Sequence, residues 1–300
     1  MWLRAASGLL LCLHASALRW PEALALRWPG AFRARGIRVI GAGHQRTGTE
    51  SMTAALLQLG YNPAHAQRFF ARKPFKDPYT GLWLRDPSKR SAGGSMLLQR
   101  KTEVAGNLSR RAGGRPISEF LNQTVLSAWM DFANGGSLEP ALQTLFDNGF
   151  DATTADMPTF AITKQLVERY PQAKVILTVH PRGADAWVEA MLGFCWTCTE
   201  DFTPWMGAYG SKFSPCIKSM LDRRGALLPE EREACAREYE EYNEDIKRSV
   251  PPHRLLVFSP GDGWDPLVRF LGVPRPPGPF PYVNRNSNGR RRRSSAAQHQ

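Results

Sequence analysis

The 300-residue chain lacks a long apolar run, and acidic residues are nearly absent from both of its ends. A membrane-spanning helix takes about 20 consecutive apolar residues, so the sequence predicts no transmembrane span. Residues 1–36 contain five Arg and one Glu, and residues 275–300 contain six Arg and no acid. Of the net charge of +12, only +2 therefore belongs to residues 37–274. This distribution argues against a folded basic surface for nucleic acid.

Cysteine is also scarce. Cys195 and Cys198 form a CxxC pair, but a zinc site usually takes two such pairs, and Cys216 and Cys235 are too far apart to supply the second. Once Cys12 is removed with the N-terminal segment, an even number of cysteines remains, which is compatible with disulfides in an oxidising compartment. We therefore expect structural cysteines.

The N-terminal segment, residues 1–36, has the features of a cleaved targeting sequence. Arg4 precedes a short apolar run, and Ala15 to Ala17 provide the small-residue pattern after which signal peptidase cleaves. Glycosylation acceptor patterns at Asn107 and Asn122 agree with a protein of the secretory lumen or a secreted protein. The alternative is an organelle transit peptide, because the segment is rich in Arg and poor in acids.

Short apolar runs alternate with amphipathic stretches between the two ends of the chain. Strands are predicted at residues 37–42, 150–158, 173–179 and 254–258, and helices at 50–60, 160–170, 184–192, 230–248 and 265–272. This alternation predicts an α/β fold in which helices flank a mostly parallel central sheet. Residues 75–116 have little periodicity and are predicted to form a long loop or insertion. Residues 285–300 are predicted to be a basic disordered tail.

The stretch from Val39 to Ser51, VIGAGHQRTGTES, connects the first predicted strand to the first predicted helix. A glycine turn at this point exposes backbone N–H groups at the positive end of the helix dipole, which suits an anion. Gly43 and Gly48 have Walker A spacing, but Thr49 stands where that loop needs lysine. A dinucleotide loop needs a third glycine where Arg46 stands. The guanidinium and the neighbouring hydroxyls instead suit a phosphate or sulfate.

Three blocks of the sequence, in order, match the pattern of a known family. They are GAGHQRTGTESMTAALLQLGY, ADMPTFAITKQLVERYPQAKVILTVH and VPPHRLLVFSPGDGWDPLVRFLGVPRPPGPFPYVN. The chain therefore resembles a P-loop sulfotransferase-like family. The resemblance implies a three-layer sulfotransferase-like domain over residues 37–284. It also implies transfer of a sulfuryl group from 3′-phosphoadenosine 5′-phosphosulfate to an acceptor hydroxyl, without a metal ion.

The resemblance further implies which residues hold the donor. Contacts with the 5′-phosphosulfate are expected from Gly43, Arg46, Thr47, Gly48, Thr49 and Ser51. Arg46 is also expected to act in catalysis, because a fixed cation stabilises the negative charge that develops on the leaving phosphate oxygen. The alternative is a glycine turn with an exposed arginine and no ligand.

The site expected for the 3′-phosphate departs from the family pattern. His180 stands where the family strand ends in Arg, and Ala190 stands where sulfotransferases generally have a helical Ser. Arg182, or His180 when protonated, is expected to replace the lost cation. Alternatively this pocket has decayed, and the protein is a non-catalytic nucleotide- or anion-binding protein.

The acceptor hydroxyl needs a general base close to its proton. Asp156, in an Asp-x-Pro turn after a predicted strand, and His65, after the first predicted helix, are the two candidates. Asp156 is alternatively the N-cap of the helix that follows. The acceptor is expected to be a hydroxyl-bearing small molecule or glycan, bound by loops within about residues 70–130 and 195–225.

Overall fold

A five-stranded sheet lies at the centre of the protein in a computed structural model, which describes residues 36–69, 75–76, 83–84, 122–193 and 203–283. The strands are β1 (Val39–Gly41), β2 (Pro63–Ala64), β3 (Phe75–Lys76), β4 (Trp83–Leu84), β5 (Ala152–Thr153), β6 (Lys174–Thr178) and β7 (Leu255–Phe258). The central sheet has the order β2-β5-β1-β6-β7, and every pairing in it is parallel. β3 and β4 form a separate antiparallel pair.

Helices cover both faces of this sheet. They are α1 (Thr49–Gln58), α2 (Ala66–Phe69), α3 (Gln123–Ala133), α4 (Leu138–Asp147), α5 (Thr163–Arg169), α6 (Gly183–Leu192), α7 (Thr203–Gly210), α8 (Pro215–Asp222), α9 (Pro229–Ser249) and α10 (Trp264–Leu271). Short 3-10 turns occur at Thr159–Ile162, Pro252–Arg254 and Pro260–Asp262. Together the helices and the sheet form three layers.

Alternating side chains of the inner strands supply the two halves of the core. Val39 and Ile176 pack with the apolar faces of α1 and α10, whereas Ile40, Val175 and Leu177 pack with the larger group of helices on the opposite face. Successive strand residues point to opposite faces, so a strand covered on both sides must be apolar throughout. This requirement explains the continuous apolar character of the sequences of β1 and β6.

The long helix α9 is mostly charged but has one buried stripe. Cys235, Tyr239, Asn243 and Ile246 lie on this stripe at helical spacing. A disulfide between Cys216 and Cys235 connects α8 to α9. The prediction of structural cysteines is confirmed for this pair, and the disulfide holds α9 against α8.

The predicted α/β class and the parallel sheet are confirmed, and each predicted helix and strand has a counterpart in the structure. The elements that were not predicted are the two-residue strands β2, β3 and β4 and the helices α2, α3, α4, α7 and α8; β3 and β4 lie within the segment predicted to be a long loop. Predictions for residues 1–35, for Cys195, Cys198 and Asn107, for most of the insertion and for the C-terminal tail concern residues outside the described ranges. Among the described helices, none combines the length and apolarity needed to cross a membrane.

Candidate active site

The loop between β1 and α1 lies at the carboxyl end of the central strand. The chain passes from β1 to the edge strand β2, returns through β5, and then continues on the other side of β1 with β6 and β7. Such a reversal of strand order leaves a crevice outside the carboxyl ends of the strands, where open α/β sheets bind ligands. The predicted anion loop is therefore in the position where this fold binds ligands.

Glycine is required in this loop because neighbouring strands approach it closely. A Cβ atom at Gly43 would lie 2.0 Å from the Thr178 hydroxyl oxygen, and one at Gly41 would lie 2.5 Å from the Thr154 Cα. Gly48 has a φ of +97°, and a Cβ there would lie 2.2 Å from Cγ of Pro260. The glycine pattern thus satisfies packing against β5, β6 and the turn after β7, in addition to any ligand.

Hydroxyl contacts fix the loop before any ligand binds. The Thr47 hydroxyl donates to the carbonyl oxygen of His44 at 2.5 Å, and its oxygen lies 2.7 Å from the Thr178 hydroxyl oxygen. Both threonines are buried. Arg46, directly before Thr47 in the loop, has a φ of 65° and is half-buried. Because Thr47 bonds within the protein, the helix N-terminus offers an anion mainly backbone N–H groups, which lack intrahelical partners there.

Ser51 is bonded to the C-terminal part of the described chain. Its hydroxyl oxygen accepts from the Val283 N–H at 3.0 Å and lies 3.3 Å from the Val283 carbonyl oxygen. The preceding Phe280 is buried against Trp264, with ring centroids 5.0 Å apart. The expected contact of Ser51 with the phosphosulfate stays a prediction.

His44, the residue two positions before Arg46, is enclosed by aromatic side chains that the sequence analysis did not identify. The rings of Tyr242, Trp187, Tyr239 and Phe160 lie 4.3 to 6.3 Å from the imidazole, centroid to centroid. Burial lowers the pKa of His44 to about 4. A neutral imidazole therefore packs beneath the loop at physiological pH.

Two of these aromatic residues also hold the backbone on either side of the crevice. The indole N–H of Trp187 donates to the carbonyl oxygen of Gln45 at 2.9 Å. The Tyr239 hydroxyl accepts from the N–H of His180 at 2.8 Å. The sequence signal for this arrangement was the pair Tyr239 and Tyr242 on one face of an otherwise charged helix.

Basic residues gather on the β6 side of the loop. His180 follows β6, and its Nδ1 accepts from the N–H of Arg182 at 3.4 Å. The pKa of His180 is lowered chiefly by burial, with further contributions from the positive charges of Arg182 and Arg46. His180 is thus within electrostatic range of both Arg182 and Arg46. Arg182 is exposed, and Ala190 lies farther along α6.

The two candidate bases form a pair on the β5 side of the loop. His65 directly follows β2 and Asp156 comes three residues after β5, and these parallel strands are neighbours. The Nε2 atom of His65 lies 2.9 Å from Oδ2 of Asp156, and the side chains are 3% and 13% exposed. In the sequence the two residues are alternatives, because β2 is too short to predict and their contact depends on it. The structure instead brings them together.

The N-cap interpretation of Asp156 is wrong. Its Oδ1 accepts from the adjacent N–H of Met157 at 2.8 Å, while the 3-10 turn that begins at Thr159 has Pro158 as its N-cap without a side-chain bond. The carboxylate therefore does not cap a helix and remains available to His65. Among the described residues, no group of three or more His, Cys, Asp or Glu is arranged to hold a metal ion.

The fold and the loop identify the class of protein, and comparison with known proteins agrees. The chain belongs to the family described as "Sulfotransferase domain", whose profile matches residues 38–97 and 115–288. It is also similar to Ava biosynthesis cluster protein M of Aspergillus versicolor, with 24% identity over 256 residues, covering 82% of this chain and 80% of that protein. These matches confirm the family resemblance and support a sulfotransferase-type function.

Proposed function

We propose that the protein transfers a sulfuryl group from 3′-phosphoadenosine 5′-phosphosulfate to a hydroxyl of a small molecule or glycan. The observation that carries the proposal is the arrangement along one edge of the sheet. The His65–Asp156 pair follows β2 and β5, the Arg46 loop follows β1, and His180 with Arg182 follows β6. The order along the sheet is thus a proton acceptor, an anion loop and a second basic group.

This order matches the parts of the proposed reaction. The 5′-phosphosulfate would bind the loop, where Arg46 and the N-terminal N–H groups of α1 favour an anion. The 3′-phosphate would lie toward His180 and Arg182. The acceptor hydroxyl would approach from the side of the His65–Asp156 pair.

The chemical step forms a bond from the acceptor oxygen to sulfur and breaks the bond from sulfur to the bridging oxygen of the 5′-phosphate. The proton of the acceptor hydroxyl passes to the His65–Asp156 pair, whose carboxylate balances the charge of a protonated imidazole. The electron pair of the broken bond stays on the phosphate oxygen. Arg46 stabilises the negative charge there, and adenosine 3′,5′-bisphosphate leaves.

Replacement of Arg46 tests the donor site. We expect Arg46→Ala to abolish calorimetric binding of adenosine 3′,5′-bisphosphate, because it removes the cation at the phosphosulfate position. Arg248→Ala is a matched control, since this exposed arginine lies on α9 and pairs with Asp245 at 3.7 Å. Equal affinity of the wild-type protein and Arg46→Ala would refute the assignment.

The second candidate function is binding of a nucleotide or anion without catalysis. It is favoured by His180, whose lowered pKa leaves the imidazole neutral at neutral pH, and by Ala190 in place of a helical Ser. A protein of this kind would retain the loop but not select for the 3′-phosphate. It would bind AMP as tightly as adenosine 3′,5′-bisphosphate, and sulfuryl transfer would be absent.

We also propose that the protein works in the secretory lumen or outside the cell. The disulfide between Cys216 and Cys235 supports this proposal, because disulfides persist mainly in oxidising compartments. Sequencing the N-terminus of the protein recovered from its native cells is the test. Cleavage after Ala17 is expected, whereas a start characteristic of organelle import would support the transit-peptide alternative.

A further inference from the structure

Two buried threonine hydroxyls connect the helix of the anion loop to the strands that carry the His65–Asp156 pair. The Thr53 hydroxyl, in α1, donates to the Thr154 hydroxyl oxygen at 3.2 Å, and the Thr154 hydroxyl donates to the carbonyl oxygen of Ala64 at 3.1 Å. Thr53, Thr154 and Ala64 are 0%, 2% and 3% exposed. The connection is therefore shielded from water.

The two hydroxyl bonds differ in how their protons are used. The Thr53 hydroxyl also donates to the carbonyl oxygen of Thr49 at 2.8 Å, which accepts this bond beside the helical backbone N–H because a carbonyl oxygen has two lone pairs. Each hydroxyl has one proton. The Thr53 proton is therefore shared between Thr49 and Thr154, whereas the Thr154 proton goes to the Ala64 carbonyl.

These hydrogen bonds end beside the His65–Asp156 pair. Pairing between β2 and β5 stops at Ala64 and Thr153, and the backbone then turns at Ala155, which has a φ of 50°. The side chain of Thr154 maintains a bond between the two segments beyond the point where the backbone pairing stops. His65 is the residue after Ala64, and Asp156 is the second residue after Thr154.

We infer that Thr154 is a positioning residue for the His65–Asp156 pair, and that Thr53 couples the pair to the helix of the anion loop. The inference rests on the proposed function for its catalytic meaning. Without the Thr154 hydroxyl, the Ala64 carbonyl loses this bond inside the protein, and a buried polar group without a partner is unfavourable. The segments that carry His65 and Asp156 then lose the hydrogen bond that joins them beyond the last residue pair of β2 and β5.

The test compares Thr154→Val, which keeps the side-chain shape, with Thr154→Ser, which keeps the hydroxyl. Thr144→Val is the control for a purely structural effect. Thr144 is also buried, and its hydroxyl accepts from Trp129 at 3.1 Å and donates to Ala141 at 2.5 Å, in the α3 and α4 region. Neither of these two hydroxyl bonds reaches the anion loop or the His65–Asp156 pair.

The principal readout is the ring signal of His65 in a 1H–13C spectrum, assigned by its loss in His65→Gln. Thr154→Val is expected to displace this signal in the same direction as Asp156→Asn, and Thr154→Ser to restore it. Thr144→Val is expected to leave the His65 signal unchanged, even if it lowers stability as much as Thr154→Val does. An unchanged His65 signal in Thr154→Val, or an equal displacement in Thr144→Val, would overturn the inference.

Two further measurements separate this inference from the proposed function. Thr154→Val should bind adenosine 3′,5′-bisphosphate with an affinity within about twofold of wild type while its turnover of donor falls about fivefold, the scale of one lost hydrogen bond. A wild-type protein that fails to bind this nucleotide would refute the proposed function and leave the His65 signal readable. If Thr154→Val does not fold, Thr53→Val serves instead, with a smaller displacement expected because the bond from Thr154 to Ala64 remains.

Discussion

The two sides of the anion loop are built differently. On the β5 side, His65 and Asp156 are in direct contact and largely buried, and hydroxyl bonds hold their segments. On the β6 side, Arg182 is exposed, and the pKa of His180 is lowered by burial and by neighbouring positive charge. We infer that the reacting side depends on fixed geometry, whereas the 3′-phosphate side depends on charge that a ligand can change.

The largest effect is expected from the β5 side. His65→Ala and Asp156→Asn should each lower turnover about 10² to 10⁴-fold, the range for a positioned general base. The double variant should be little worse than the single variants, because residues that act as a unit are not additive. Asp265→Asn is the control, since this carboxylate pairs with Arg275 at 2.8 Å on the surface. Fully additive losses in donor turnover would contradict a single catalytic pair.

A large effect of pH on stability is expected from His44, whose imidazole packs beneath the loop. The pKa of His44 is about 4 in the folded protein against an ordinary value of 6.5, so between these values the unfolded chain binds more protons. The contribution of His44 to the free energy of unfolding should therefore be constant above pH 6.5 and fall as pH drops to 4, by about 3 kcal/mol in total.

Replacement of His44 isolates this contribution. His44→Phe should remove it, whereas His253→Phe, at an exposed position, should not. Urea unfolding at pH 7 and pH 4.5 measures the difference. Parallel pH dependence in wild type and His44→Phe would show that His44 is not the group responsible.

On the β6 side, removal of one cation should weaken selectivity for the 3′-phosphate. Arg182→Ala is expected to lower affinity for adenosine 3′,5′-bisphosphate about tenfold, the scale of one charge-assisted hydrogen bond. Affinity for AMP should not change, because AMP lacks the 3′-phosphate. Calorimetry with both nucleotides measures the two affinities. An equal loss of affinity for both would show that Arg182 does not contact the 3′-phosphate.

The smallest effect concerns the pH dependence of binding. A phosphate beside His180 favours the protonated imidazole and so raises its pKa from the lowered value in the free protein. Affinity for adenosine 3′,5′-bisphosphate should therefore increase several-fold as pH falls toward the lowered pKa of His180 in the free protein. His180→Gln should remove this increase, and AMP should not show it. The same pH dependence in His180→Gln would assign the titration to another group.

The sequence predicted those parts of the site that are encoded locally. The loop residues from Gly43 to Ser51 are contiguous, and the strand and helix around them have clear apolar patterns, so both the fold class and the position of the loop could be inferred. His180 and Arg182 were identified because the end of a strongly apolar strand departs there from the family pattern. In each case a run of neighbouring residues contained the signal.

The remaining parts depend on contacts between residues far apart in the chain. The contact between His65 and Asp156 follows from the pairing of β2 with β5, and a two-residue strand has no detectable period. The hydroxyl bonds from Thr47 to Thr178 and from Thr53 to Thr154 span 131 and 101 residues. A threonine that bonds across strands has no pattern in sequence that distinguishes it from any other buried threonine.

Calorimetric comparison of adenosine 3′,5′-bisphosphate with AMP on the wild-type protein tests the central claim most directly. The account requires the anion loop and the basic residues after β6 to bind the two ends of one donor. It predicts that the bisphosphate binds at least about tenfold more tightly than AMP, from one charge-assisted contact or more. Equal affinities for the two nucleotides, or no binding of either, would contradict it.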